Sequence, residues 1–194
     1  MNTRLRENNA GTTLAELIVT FALMGIFMAS TAVIISSSVL VHSQITGTMY
    51  AQSVGETLLD KITGELAAAK PEGSPSLVIG TIIKEGKNVG NGVSFYGKDG
   101  GREYFFVEDG LLVLQSEDIW QLDQKAYMGY RLLDLQVNRL NDQNVLEVVI
   151  KLTNLKTGFE YTASRAVRCY NFKTEADYSQ ITEGNISLNT AWTE

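Results

Sequence analysis

Charge is missing from one long stretch of this chain. No Asp, Glu, Lys or Arg occurs between Glu16 and Glu56, so nearly all the charge lies at the extreme N-terminus or after Val54. Cys169 is the only cysteine, which excludes an internal disulfide and a cysteine-based metal cluster. His42 is the only histidine. A Ser-His-Asp triad would have to draw on it from beside an apolar run, which counts heavily against a hydrolase of that kind. No basic cluster interrupts a chain of net charge -6. Holding nucleic acid takes concentrated Lys and Arg, so nucleic acid is not indicated as a partner. Proline is absent from the apolar run, and nothing there forces a kink.

What remains is an ordinary folded composition, with 44% hydrophobic and 20% charged residues over 194 positions. That length allows one domain plus an extended element. The stretch from Leu17 to Val41 is rich in Leu, Ile, Val, Phe, Met and Ala. It exceeds the about 20 residues that a helix needs to cross a hydrocarbon core. Its polar residues, among them Thr20, Ser30, Thr31 and Ser36 to Ser38, are small enough to bond back to the helix backbone. Gly25 is the one weak point. Arg4 and Arg6 precede the run and no basic residue follows it until Lys61. The positive-inside rule therefore predicts a single pass through the cytoplasmic membrane, with the N-terminus inside. A secretory signal has the same basic start, but its apolar core is shorter than this run.

Glu16 sits just inside the start of that run. A carboxylate near lipid is costly unless it is neutralised or paired. One account puts it at headgroup level, where it also favours the positive end of the helix dipole.

The segment "AGTTLAELIVTFALMGIF" resembles the N-terminal signature of type IV pilins and of the pseudopilins of type II secretion and competence systems. That signature is a short basic leader ending in Gly, one further residue, then Thr-Leu-x-Glu and an apolar helix. Thr13, Leu14 and Glu16 match the recognition positions, and Gly25-Ile26 fits a common pair within the family's helix. The resemblance implies cleavage between Gly11 and Thr12 by a membrane prepilin peptidase, which in this family also methylates the new amine. Thr12 stands where the family most often has Phe, and that puts methylation of Thr12 in doubt more than cleavage. It further implies that Glu16 meets the N-terminal amine of a neighbouring subunit and so sets the height at which a subunit docks.

Helical patterning continues past the apolar run. Val54, Leu58, Ile62 and Leu66 fall four apart on one stripe, while Glu56, Asp60, Lys61 and Glu65 take other faces. Pro71, with Gly73 close behind, ends the pattern. A helix from about Leu14 to Lys70 would be about 85 Å long, and Ser43 to Gly55 is where a bend is expected. From Leu77 the period changes to two. Strands are predicted at Leu77 to Ile83, Val93 to Tyr96, Arg102 to Val107, Leu111 to Gln115, Tyr130 to Arg139, Val145 to Thr153 and Phe159 to Tyr170, joined by "GKDGG", "EDG", "NDQN" and "TNLKTG". Leu133, Leu135 and Val137 are expected on one face, and Leu146, Val148, Ile150 and Leu152 on another.

The resulting expectation is an α+β fold. A long N-terminal helix, transmembrane in its first half and amphipathic in its second, packs on an antiparallel β-sheet head, as in the pilin ladle. The boundaries are 1–11 for a cleaved basic leader, 12–42 for the transmembrane or filament-core helix, 43–70 for its amphipathic continuation, 71–172 for an extracytoplasmic β-rich head, and 173–194 for a polar, loosely ordered tail.

Other motifs carry less. "GVSFYGKD", Gly92 to Asp99, fits seven positions of a phosphate-binding loop but has Asp99 where Ser or Thr must reach magnesium, and it reads better as a strand entering a hairpin. Asp99, Glu103, Glu108, Asp109, Glu117 and Asp118 lack calcium-loop spacing. "NIS" at Asn185 to Ser187 matches a glycosylation triplet that is common by chance. Cys169 reads as a buried small residue. Tyr104 to Phe106 read as packing, and nothing selects Trp120 or Trp192 as a contact.

The expected function is a structural subunit, leaning towards a minor one, of a type IV pilus or of a type II secretion or competence pseudopilus. No catalytic residues, metal or cofactor are expected. The resemblance implies as partners a prepilin peptidase, other pilin or pseudopilin subunits, an inner-membrane assembly platform with its ATPase, and the lipid bilayer before assembly. It places the assembled protein in a pilus at the cell surface. The alternative is a single-pass, membrane-anchored extracellular binding module that is not processed.

Overall fold

A computed structural model describes residues 13–140 and 144–188. Its first element, α1 (Leu14–Ala68), is longer than any other. The chain divides after Gly47 into two compact units.

In the first unit every residue from Thr13 to Ile45 is exposed. The side-chain hydroxyls of Thr20, Ser30, Thr31, Ser36, Ser37 and Ser38 donate to the carbonyl four residues back, at 2.7–3.0 Å. Each polar group in the apolar run is thus satisfied within its own helix, which is what a lipid solvent demands. By length and composition α1 is apolar enough to cross a membrane.

The second unit begins with the rest of α1. Val54, Leu58, Ile62 and Leu66 are all buried, with Ala51, Leu59 and Thr63 beside them. The predicted stripe is the face that packs on the sheets. The stretch Ser43 to Gly55, expected to bend, is helical throughout. Gly55 has a packing role instead: a Cβ there would lie 3.1 Å from the Tyr161 ring. The helix stops at Ala68, ahead of Pro71. Its last carbonyls are met from a distant part of the chain: Asn171 Nδ2 donates to Ala68 O at 3.0 Å and to Ala69 O at 3.1 Å.

A meander follows: β1 (Leu77–Lys84), β2 (Lys87–Tyr96), β3 (Arg102–Glu108), β4 (Leu111–Gln115) and β5 (Ile119–Gln121), each antiparallel to the next. The turn between β3 and β4 has Asp109 at φ 54° and Gly110 at φ 80°. Positive φ at both central residues is what a type I′ hairpin requires, and "EDG" supplies residues that tolerate it. The strands β6 (Tyr130–Leu140), β7 (Val145–Asn154) and β8 (Glu160–Arg168) form a separate three-stranded antiparallel sheet. The single sheet expected from sequence is therefore two. Residues 141–143, most of the "NDQN" turn, lie outside the described residues.

Two further expectations are overturned. Leu133 was expected on the core face with Leu135 and Val137. The β6–β7 register shifts between Leu132 and Asp134, which puts Leu132 in the core at 1% exposure and turns Leu133 out at 50%. A bulge breaks the period of two, so alternation counted backwards across it fails. The tail beyond Phe172, expected to be loose, forms α2 (Glu175–Ser179), β9 (Ile181–Glu183) and β10 (Ile186–Leu188). Thr174 and Asp177 cap α2 reciprocally. Both strands pair in parallel with β1, β9 opposite Leu77 to Ile79 and β10 opposite Ile82 to Lys84.

One core joins the α1 stripe to residues of both sheets, among them Phe95, Phe105, Leu135 and Ile150. Phe95 and Phe105 stack at 5.7 Å. A smaller cluster of Val78, Ile82, Phe106, Val113, Ile186 and Leu188 is separate from it. The chain's return as β10 completes this second cluster.

Candidate functional site

Chemistry-bearing residues are scarce in the first unit, and they gather where α1 begins. Gly11 and Thr12, the expected cleavage and methylation positions, lie outside the described residues. Thr13, Leu14 and Glu16 lie within them. Thr13 is the N-cap of α1: its carbonyl accepts from Leu17 N at 3.1 Å, the first helical bond. Its Oγ1 accepts from Glu16 N at 3.3 Å, and Glu16 Oε2 accepts from Thr13 N at 3.4 Å.

This is a capping box, in which two backbone donors left over at a helix start are satisfied reciprocally. The sequence reading missed it, although Thr-x-x-Glu ahead of an apolar run is its signature. The carboxylate thus has a partner within its own chain before any other subunit is considered. Both bonds are longer than the usual 2.7–3.2 Å, and both groups are exposed. Such a contact holds a carboxylate in place weakly and releases it readily. Among residues 13–55, Glu16 is the only one that is formally charged. Leu14 projects into solvent at 80% exposure, beside the capped turn.

The second unit offers two polar clefts. One cleft of about 380 Å³ is lined by Gly80, Asn91, Gln136, Asn138, Glu183 and Asn185, among others. Glu183 is its only titratable lining group. The carboxamides of Asn91 and Gln136 are held by Asp134, at 3.3 and 2.7 Å. Another cleft, of about 520 Å³, brings together Asp99, Glu103, Glu117 and Asp118 with Arg102. Burial, reinforced by the charge of Glu65, pushes the Glu103 carboxyl up from its ordinary range. Among the described residues, no group of three or more His, Cys, Asp or Glu side chains is placed to hold a metal.

The remaining motifs fall where their plainer readings put them. Gly92 to Tyr96 belong to β2, and Gly97 to Gly101 close a tight turn, with Gly97 N donating to Gly101 O at 2.9 Å. Glu108 pairs with Lys84. Cys169 is fully buried, and burial pushes its thiol up to about 12. Phe105 and Phe106 are packed inside. Trp120 lies under Lys61, whose ammonium is 5.0 Å from the ring centre. Asn185 is exposed between β9 and β10. Trp192 lies outside the described residues.

Comparison with protein-family models, with curated proteins and with solved structures finds no match to this chain.

Proposed function

We propose that this chain is a structural subunit of a type IV pilus or of a type II secretion or competence pseudopilus. A prepilin peptidase clips it after Gly11, and it is assembled through α1. The observation that carries the reading is a helical stretch, free of charge and exposed on every side from Leu17 to Ile45, that follows directly on the Thr13–Glu16 pair.

The physical argument has two steps. A helix that is apolar all round finds no stable place in water. Fully burying one Leu, Ile, Phe or Met side chain is worth about 1.5–3 kcal/mol, and the first unit leaves Leu17, Ile18, Phe21, Leu23, Met24 and Ile26 all at least half exposed. That surface calls for lipid, or for other helices like it. The second step concerns Glu16. A plain anchor gains from a carboxylate at its threshold only the cap and a favourable place at the positive end of the helix dipole. A helix that must leave lipid and enter a bundle gains a register mark, because an unpaired charge in an apolar bundle is strongly destabilising. Cleavage at Gly11 would supply the matching cation as the free amine of Thr12 on a neighbouring subunit.

The test is the N-terminal residue of the membrane-extracted protein, read by mass spectrometry from cells with and without a prepilin peptidase. The reading expects Thr12 with the enzyme and Met1 without it. A chain that starts at Met1 in both removes the proposal and leaves the unprocessed membrane-anchored binding module.

A further inference from the structure

The second unit has an apolar tip at the end where the chain enters it. β8 runs alongside α1 with both sequences rising together. The Tyr161 ring lies against Gly55, Arg165 pairs with Asp60, and Asn171 bonds the carbonyls of Ala68 and Ala69. The β7–β8 turn that precedes Tyr161 therefore lies towards the Thr48 end of this stretch of helix. That turn is firmly built. Asn154 Oδ1 accepts from Lys156 N at 2.9 Å and from Thr157 N at 3.0 Å, and Asn154 N donates to Phe159 O at 2.8 Å. Leu155 N donates to Gly129 O at 3.1 Å, which ties the turn to the loop carrying Met128.

This scaffold holds three large apolar side chains outward: Leu155 at 53%, Met128 at 49% and Phe159 at 43% exposure. Lys125 and Lys156 stand beside them, exposed and in no ion pair among the described residues. In a chain of net charge -6, two unpaired lysines flank the apolar tip, with exposed Asp123 in the same loop as Lys125, so the tip carries a small positive excess. Apolar side chains that enter the acyl boundary, with lysines reaching phosphate, are how a protein surface rests on an anionic bilayer. A second copy of the same tip would set lysine against lysine, which disfavours self-association through it.

Chain length brings the tip within reach. Between Val41, the end of the apolar run, and Thr48 there is about 10 Å of chain if helical and at most about 25 Å if extended. The headgroup layer of one leaflet is about 5–8 Å thick.

We propose that Met128, Leu155 and Phe159, with Lys125 and Lys156, form a second membrane contact that rests on the anionic headgroup surface before assembly. This proposal depends on the reading of α1 as a membrane-spanning helix. The test uses the full chain, labelled with an environment-sensitive fluorophore at Leu155→Cys or, as a control on β5, at Ile119→Cys. Cys169 is buried and does not compete for the label. The chains are reconstituted into vesicles of phosphatidylcholine alone or mixed with phosphatidylglycerol, each carrying a headgroup spin-labelled lipid. Co-flotation with vesicles is measured first.

The expected result is that the chain floats and that the Leu155→Cys probe is quenched severalfold more than the Ile119→Cys probe. The excess should be larger in the anionic vesicles and fall when Lys156→Glu is added. A chain that floats with equal quenching at the two positions overturns the contact and leaves the spanning helix standing. Emission at Leu155→Cys that shifts with protein concentration in lipid-free micelles assigns the tip to a second copy and overturns the lipid proposal. A chain that fails to float removes the spanning helix, and this contact with it.

Discussion

Replacing Glu16 by Gln separates the two jobs that the carboxylate is asked to do. The capping box survives the change, because Gln at this helix position reaches back to the N-cap amide as Glu does. The charge does not survive. The cap itself is a small contribution: its bonds are 3.3 and 3.4 Å long and exposed, which places it low in the range measured for N-caps, about 0.5–1 kcal/mol. Losing it through Thr13→Val should therefore change the partition of subunits between membrane and filament by about two- to fivefold. On the proposed reading, breaking the ion pair inside an apolar bundle leaves a neighbour's amine unmatched and is worth about 3–5 kcal/mol, or about 10²- to 10⁴-fold in that partition. The assay is the ratio of subunit in sheared filaments to subunit in the membrane pool, measured in a host carrying a complete assembly machine. Glu16→Gln and Glu16→Ala should both insert normally and both be nearly absent from filaments, while Thr13→Val should assemble within about fivefold of the wild-type level. Glu16→Gln assembling at the wild-type level would refute the ion pair. Thr13→Val failing as completely as Glu16→Gln would show that the cap, not the charge, is what assembly reads.

Further outcomes are expected in the second unit, each measured on the full chain in detergent micelles. Asn144 is buried and donates to Cys169 O at 2.9 Å and Phe172 O at 2.8 Å; Asn144→Ala should lower stability by about 1–3 kcal/mol, read from the thermal midpoint. Leu58→Ala opens a cavity under a fully buried side chain and should destabilise by about 2–5 kcal/mol, whereas Leu133→Ala should stay within about 0.5 kcal/mol, although both are leucines in apolar patterns. The Cys169 thiol, pushed up to about 12 by burial, stays protonated in the folded state at pH values where the unfolded chain ionises. Below the ordinary thiol range the two states hold the proton alike. As pH rises above that range stability should fall, by up to about 1.4 kcal/mol per pH unit. Denaturant melts of wild type and Cys169→Ala at pH 8 and pH 10 should therefore diverge at the higher value, and parallel curves would contradict the burial argument.

Much of this fold was legible because its signals are local and periodic. The α1 stripe declared itself through Val54, Leu58, Ile62 and Leu66, and β7 through Leu146, Val148, Ile150 and Leu152, since each set repeats at the spacing that puts it on one face. The failures share a different cause. Leu133 lies on the wrong side because a bulge, which no residue in β6 announces, moves the register by one. β9 and β10 are three residues each, too short to show a period amid polar neighbours. They exist because β1, about a hundred residues earlier in the chain, offers them an unpaired edge in two places. The division into two sheets is likewise a fact about long-range pairing.

The candidate site divides along the same line. Thr13 to Glu16 was legible as a cap from four residues alone, yet Glu16 was read as a charge near a helix dipole and as a registration residue, not as the partner of Thr13. Neither of those readings gave the carboxylate a hydrogen-bond partner within its own chain. The capping box shows that the isolated subunit already has a remedy, a weak one. That changes what a partner must supply. It need not rescue a stranded charge; it must out-compete two long, exposed hydrogen bonds, and a full positive charge in a drier setting does so easily. The same carboxylate can then be held quietly at the helix start in one solvent and drawn off it in another. A register mark has to be satisfied while it waits and better satisfied when it is matched, and the Thr13–Glu16 geometry meets the first of those conditions.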